Sequence, residues 1–133
     1  MPRLSTSPEA GSQRPSVSGP VILVVDDDEE VRLIVAEFLE DFGYDVIQAD
    51  GGIAALGLLD AHPSIRLVIT DIRMPDMSGL ELADIATARQ SELKVILISG
   101  YFRETQVTRP FLRKPFRMRD LQAAVRAELD PTE

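Results

Sequence analysis

Two short aliphatic runs in this chain each end on aspartate, and that repetition limits the folds open to it. Val21, Ile22, Leu23, Val24 and Val25 lead into Asp26, Asp27 and Asp28, while Leu67, Val68, Ile69 and Thr70 lead into Asp71. An apolar run without polar alternation suits a strand covered on both faces, as in a parallel sheet flanked by helices. If the two runs are neighbouring parallel strands, three or four carboxylates meet at the carboxyl edge of the sheet. Ligand sites of such folds form at that edge.

A bare carboxylate cluster is costly. Two like charges about 4 Å apart repel by roughly 4 kcal/mol at an effective dielectric of about 20. A positive group should sit among them, and Mg2+ is the natural candidate: it takes one or two carboxylates, keeps several waters and leaves room for a phosphate. Asp28, Glu29 and Glu30 have a second reading, as acids favouring the positive end of a following helix. That second reading does not account for Asp27 together with Asp71, the residue to watch in what reads as a metal site with a nucleophile in it.

Periodicity orders the rest of the chain. From Val31 onward, Ile34, Val35, Phe38, Leu39 and Phe42 fall at helical spacing and Gly43 stops the helix. A second strand is expected over Asp45 to Ala49, then a helix carrying Ile53, Leu56 and Leu59 that ends before Pro63. Arg66 to Thr70 is the third strand. After the turn Ile72, Arg73, Met74, Pro75, Asp76, Met77, Ser78, Gly79, a helix over Leu80 to Arg89 faces Leu82, Ile85 and Ala86 inward. Lys94 to Ile98 and Phe111 to Arg113 are the fourth and fifth strands. A last helix from about Arg117 to Leu129 buries Met118, Leu121, Val125 and Leu129. Strands alternating with helices imply an α/β fold, a doubly wound five-stranded parallel sheet with helices on both faces.

At 133 residues with 44% hydrophobic content, the chain is expected to form one soluble domain. No apolar run approaches the roughly 18 residues of a membrane span. Met1 to Gly19, rich in proline and hydroxyl residues, reads as a disordered tail (1–19) and not as a signal peptide, which leaves 20–130 as the domain and the cytoplasm as the expected location. The absence of cysteine excludes disulfides, thiol catalysis and thiolate metal sites. The net charge of -8 argues against nucleic acid as the main partner. Basic residues do gather between Arg103 and Arg126, either as a face for an acidic partner or as a solvated helix face. His62, the only histidine, stands beside Pro63 at a helix end and reads as a surface capping residue.

Over Pro20 to about Asp130 these residues resemble the receiver domain of two-component response regulators, whose sheet is flavodoxin-like. The resemblance lies in the strand ending on Asp26 and Asp27, in Asp71 with its turn through Pro75 and Gly79, in Ser99 at the end of the fourth strand, and in Lys114, Pro115 and Phe116 after the fifth. It implies that Asp71 accepts a phosphoryl group from a histidine kinase or histidine phosphotransfer protein. It also implies that Asp27 binds Mg2+ directly, Asp26 through a water, and Asp71 and the Arg73 backbone carbonyl complete the metal site. Lys114 and Ser99 would hold phosphoryl oxygens, with Ser99 and Phe111 acting as the switch. A cis bond between Lys114 and Pro115 is implied as well. Such a domain is no conventional enzyme, although it promotes its own phosphorylation and dephosphorylation.

The resemblance has a gap. Ser99 and Lys114 stand only 15 positions apart, and Gly100 to Pro110 carries no helical apolar stripe. The fourth helix of a receiver is expected to be reduced or absent here, and the loop 100–110 to order on phosphorylation or partner binding. A monomer acting on a downstream protein, without an output domain, is the expected form; a receiver fragment of a longer regulator or hybrid kinase is the alternative. A Mg-dependent aspartate-nucleophile phosphatase needs a second acid two residues past its nucleophile, where Arg73 stands. A flavin-binding domain needs a phosphate loop after the first strand, where five consecutive acids would repel the cofactor.

Overall fold

The computed structural model describes residues 20–100 and 108–129. The elements run β1 (Val21–Val25), α1 (Glu29–Asp41), β2 (Asp45–Ala49), α2 (Gly52–Ala61), β3 (Ile65–Asp71), α3 (Gly79–Arg89), β4 (Lys94–Ser99), β5 (Phe111–Arg113) and α4 (Met118–Leu129). All four strand pairings are parallel, in the order β2-β1-β3-β4-β5. From β1 the chain winds one way to β2 and the other way to β3, so the crevice between their carboxyl ends is the topological switch point.

Strand side chains alternate between the two faces of the sheet, and each face therefore takes every second residue. Leu23, Val25, Val68, Val95 and Leu97 pack with Ala55 and Leu59 of α2 and Leu82, Ala83 and Ala86 of α3. Ile22, Val24, Leu67, Ile69, Ile96 and Ile98 pack with Val35 and Leu39 of α1 and Leu121 and Val125 of α4. Among the described residues, two helices on each face thus bury both sides of the sheet, which is why β1, β3 and β4 show no polar alternation.

Helix ends follow local chemistry. Asp28 is the N-cap of α1 and its carboxylate accepts from the Glu30 and Val31 amides at 3.0 and 3.3 Å. Gly43, at φ 96°, takes the left-handed conformation that ends this helix. Ser78 and Glu81 form a reciprocal capping box at the start of α3.

The inward assignment of Ile85 is corrected: it is 36% exposed, and Ile53, at 67%, Ile34 and Phe42, which the sequence places on their helices without assigning them a face, also meet solvent. On α3 the buried positions Leu82, Ala83 and Ala86 form one arc, and at about 100° per residue Ile85 falls outside it. On α2 the small Ala55, not Ile53, lies against the sheet. Phe42 is the C-cap beyond the last turn of α1 and meets Phe38 edge to face at 4.8 Å. Met118 and Leu129 are half-buried, at either end of the Leu121 and Val125 stripe. The expectations for the tail 1–19 and for most of the loop 100–110 fall on residues outside those described.

Candidate functional site

Register brings the distant acids together. Val25 pairs with Thr70 across β1 and β3, so Asp26 and Asp71 follow side by side at the strand ends. Asp71 in turn pairs with Ile98 of β4, which places Ser99 one residue further along. Ser99 pairs with Arg113 of β5, and the Lys114 amide donates to the Ser99 carbonyl at 3.0 Å. Four segments separated by up to 88 residues of chain thereby deliver their functional side chains to one edge (Lys114 less Asp26).

Carboxylate oxygens of Asp26, Asp27 and Asp71 lie within 4.8 Å of one another. Lys114 reaches into this group, its Nζ 3.6 Å from an Asp71 oxygen and 4.0 Å from an Asp26 oxygen. Asp26 is 5% exposed and Ser99 1%, whereas Asp27 is open to solvent and Asp71 lies between. The Lys114–Pro115 peptide is cis, as the resemblance implies.

Burial dominates the electrostatics. It pushes the Asp71 carboxyl above the usual range, against Lys114 and the Arg73 and Ile72 amides, which favour the charged form. Asp26 is likewise pushed up by burial, opposed by the Asp28 amide and raised further by the Asp71 charge beside it. One ammonium group therefore does not offset three gathered acids. The donor set is all oxygen, hard and anionic, with one side open, and it fits a divalent cation that keeps part of its water shell.

The backbone around these acids is held closely. The Arg32 guanidinium donates to the Asp26 carbonyl at 2.9 Å and to the Gln48 amide oxygen at 3.1 Å, bracing the loop after β1. The buried Thr70 hydroxyl donates to the Asp71 carbonyl at 2.9 Å. The Gly79 amide closes the turn onto the Ile72 carbonyl at 2.8 Å, and a β-carbon at Gly79 would stand 2.3 Å from the Asp71 carbonyl oxygen. Beside the acids, Asp27, Ile72, Arg73, Met74, Pro75 and Ser78 line an open cleft of about 570 Å³. Arg73 is exposed on its rim and Phe111 is half-buried at the start of β5.

Two groups read from sequence separate here. Asp28, Glu29 and Glu30 begin α1 and lie outside the three-acid cluster. The basic residues near the C-terminus do not share one face: Lys114 turns into the site, while Arg109 pairs with Asp84 of α3 at 3.1 Å. Arg32 and Asp76 escaped sequence reasoning, since neither lies at a strand end. Their partners, Asp26 and the start of α2, are brought near only by folding.

A strand-end carboxylate cluster with an inserted lysine thus lies at the switch point of a doubly wound parallel sheet, where ligand sites of such α/β domains form. Residues 22–126 match the family described as the response regulator receiver domain, and the chain belongs to that family. It is 37% identical over 111 residues to the response regulator receiver protein CpdR of Brucella abortus, covering 75% of this chain and 88% of that protein. Its fold matches the crystal structure of the receiver domain of the hybrid histidine kinase CckA (35% identity, TM-score 0.73, 83% of this chain and 99% of that one). It also matches the Thermotoga maritima response regulator TrrA crystallised with Mg2+-BeF (31% identity, TM-score 0.76, 82% and 98%). The protein is thus a two-component receiver domain, and no helix among the described residues is long and apolar enough to cross a membrane.

Proposed function

We propose that Asp71 accepts a phosphoryl group from a phosphohistidine on a histidine kinase or histidine phosphotransfer protein, in the cytoplasm. The reading is carried by the Lys114 ammonium lying 3.6 Å from the Asp71 carboxylate within a three-acid cluster. One Asp71 oxygen attacks phosphorus and forms a P–O bond as the P–N bond to imidazole breaks, and the freed imidazole takes up a proton. Lys114 leaves its ion pair with Asp71 for a phosphoryl oxygen, so the positive charge stays where negative charge accumulates. Asp27, Asp71 and the Arg73 carbonyl would hold Mg2+, with Asp26 acting through a water. Bound there, the ion would neutralise phosphoryl oxygens during transfer. The Mg2+-BeF complex of TrrA supports this choice of metal.

The buried Ser99 hydroxyl is suited to donate to a second phosphoryl oxygen, and Phe111, packed against the α2 and α3 side of the core, to follow that movement. This Ser99 and Phe111 switch, with loop 100–110, would present the phosphorylated state to a downstream protein from a monomer, with neither nucleic acid nor membrane as partner. This reading fits either a receiver protein, as CpdR is named, or a receiver domain within a hybrid histidine kinase, as that of CckA is named. Incubation with a small acyl phosphate and Mg2+, followed by intact mass and site mapping, tests the assignment. One added phosphoryl group on Asp71 is expected; the same mass gained by Asp71→Asn would place the chemistry elsewhere.

A further inference from the structure

The turn that follows Asp71 is fastened to a helix that contributes no side chain to the acidic cluster. Gly51, the N-cap of α2, has no side chain with which to cap it. Asp76 caps it from another segment: its carboxylate accepts the Gly52 amide at 3.2 Å and the Ile53 amide at 2.9 Å. The same carboxylate accepts the Met77 amide of its own turn at 2.9 Å. These amides, that of Ile53 foremost, hold the Asp76 carboxyl below the usual carboxylate range, so the link is charged at neutral pH.

The approach requires the glycine pair. A β-carbon at Gly51 would stand 2.9 Å from an Asp76 carboxylate oxygen, and one at Gly52 would stand 2.2 Å from Met77 Cγ. Between this tether and the Gly79 to Ile72 closure lies Arg73, whose amide, with that of Ile72, supports the Asp71 carboxylate. The turn is therefore pinned at both ends, once to itself and once to α2.

We propose that Asp76 is a positioning residue, which by tying the 72–78 turn to the first turn of α2 holds the Arg73 backbone in place for the metal and phosphoryl chemistry at Asp71. The inference rests on the phosphoacceptor reading above. Its rival is that Asp76 merely caps a helix, and a pair of variants separates the two. Asp76→Ala removes tether and cap together, whereas Gly51→Ser combined with Asp76→Ala returns a local cap to α2 in the space vacated. Asp76→Asn keeps an acceptor without the charge.

Mg2+ affinity by calorimetry, phosphoryl uptake from a small acyl phosphate, amide exchange over residues 72–79 and urea unfolding are measured on each. Asp76→Ala is expected to weaken Mg2+ binding and slow uptake, each by about tenfold, as loss of a supporting contact does at metal sites. Exchange at the Gly79 amide is expected to rise, and Asp76→Asn to fall between. The double variant is expected to regain the urea midpoint but neither the Mg2+ affinity nor the exchange protection. Wild-type Mg2+ affinity in Asp76→Ala, or recovery of affinity and protection together with stability in the double variant, would overturn the proposal. A wild-type protein that binds no Mg2+ and takes up no phosphoryl group would overturn the phosphoacceptor reading itself, a result separate from any difference between variants.

Discussion

Asp71 and Asp76 stand five residues apart in one turn, and the molecule treats them in opposite ways. Asp71 sits at a strand end with two other acids, loses solvent to burial and has its carboxyl pushed up. Asp76 sits over the start of α2, takes three backbone amides and has its carboxyl pulled down. The same division splits the acidic run after β1, where Asp26 and Asp27 join the cluster and Asp28 caps α1. Acids that meet unpaired helix amides stabilise the fold, and acids gathered at strand ends hold it at a cost that a cation can offset. The metal and phosphoryl chemistry proposed above falls to the second kind.

Experiments can break this contrast or sharpen it. The largest effect is expected from Asp71→Asn, which should abolish phosphoryl uptake, read by intact mass, while the fold persists by circular dichroism. Uptake that survived would remove the distinction between the two aspartates. Next is Gly79→Ala, whose β-carbon would collide with the Asp71 carbonyl. A stability loss of about 1–3 kcal/mol is expected in urea, in the range for overpacking, with loss of Mg2+ binding because the turn must shift.

Mg2+ itself is a sharper probe. At a concentration near 100 times its dissociation constant it should stabilise the wild type by about 2.7 kcal/mol, and Asp27→Asn should lose most of that gain in thermal unfolding. Without Mg2+ the sign of the pH dependence follows from the raised carboxyls. Asp26 and Asp71 titrate higher in the folded state than in the unfolded chain, so the folded state binds more protons between the two values. Their destabilising contribution is fully present above the folded values. It fades as pH falls through them towards the ordinary value of 3.8 and is absent below that value. Asp26→Asn should therefore raise metal-free stability at neutral pH and flatten its rise on acidification, measured by urea unfolding across that window. The smallest effect belongs to the capping acids and hydroxyls: Ser78→Ala should cost about 1 kcal/mol, with little change in pH dependence.

Much of this arrangement is legible in the chain. The aliphatic runs mark β1, β3 and β4 because each is covered on both faces, and the aspartates, Ser99 and Lys114 mark where the strands end. The Met118 to Leu129 helix carries its buried stripe at the expected spacing. Apolar periodicity was less informative where a small residue does the packing. Ala55, Ala83 and Ala86 let α2 and α3 approach the sheet, and larger neighbours such as Ile53 and Ile85 are turned outward.

The residues alone determined the strand and helix order and the parallel sheet, which follow from short-range periodicity and side-chain type, whereas the phosphoryl-transfer roles of Asp71, Ser99 and Lys114 are implied only by the family resemblance. Tertiary structure decided which acids meet. The pairing of Val25 with Thr70 puts Asp26 beside Asp71, the lysine is inserted from the end of β5, and Asp76 is assigned to a helix 24 residues away in the chain. Register and cross-segment hydrogen bonds depend on contacts between segments far apart in sequence, so no local pattern encodes them.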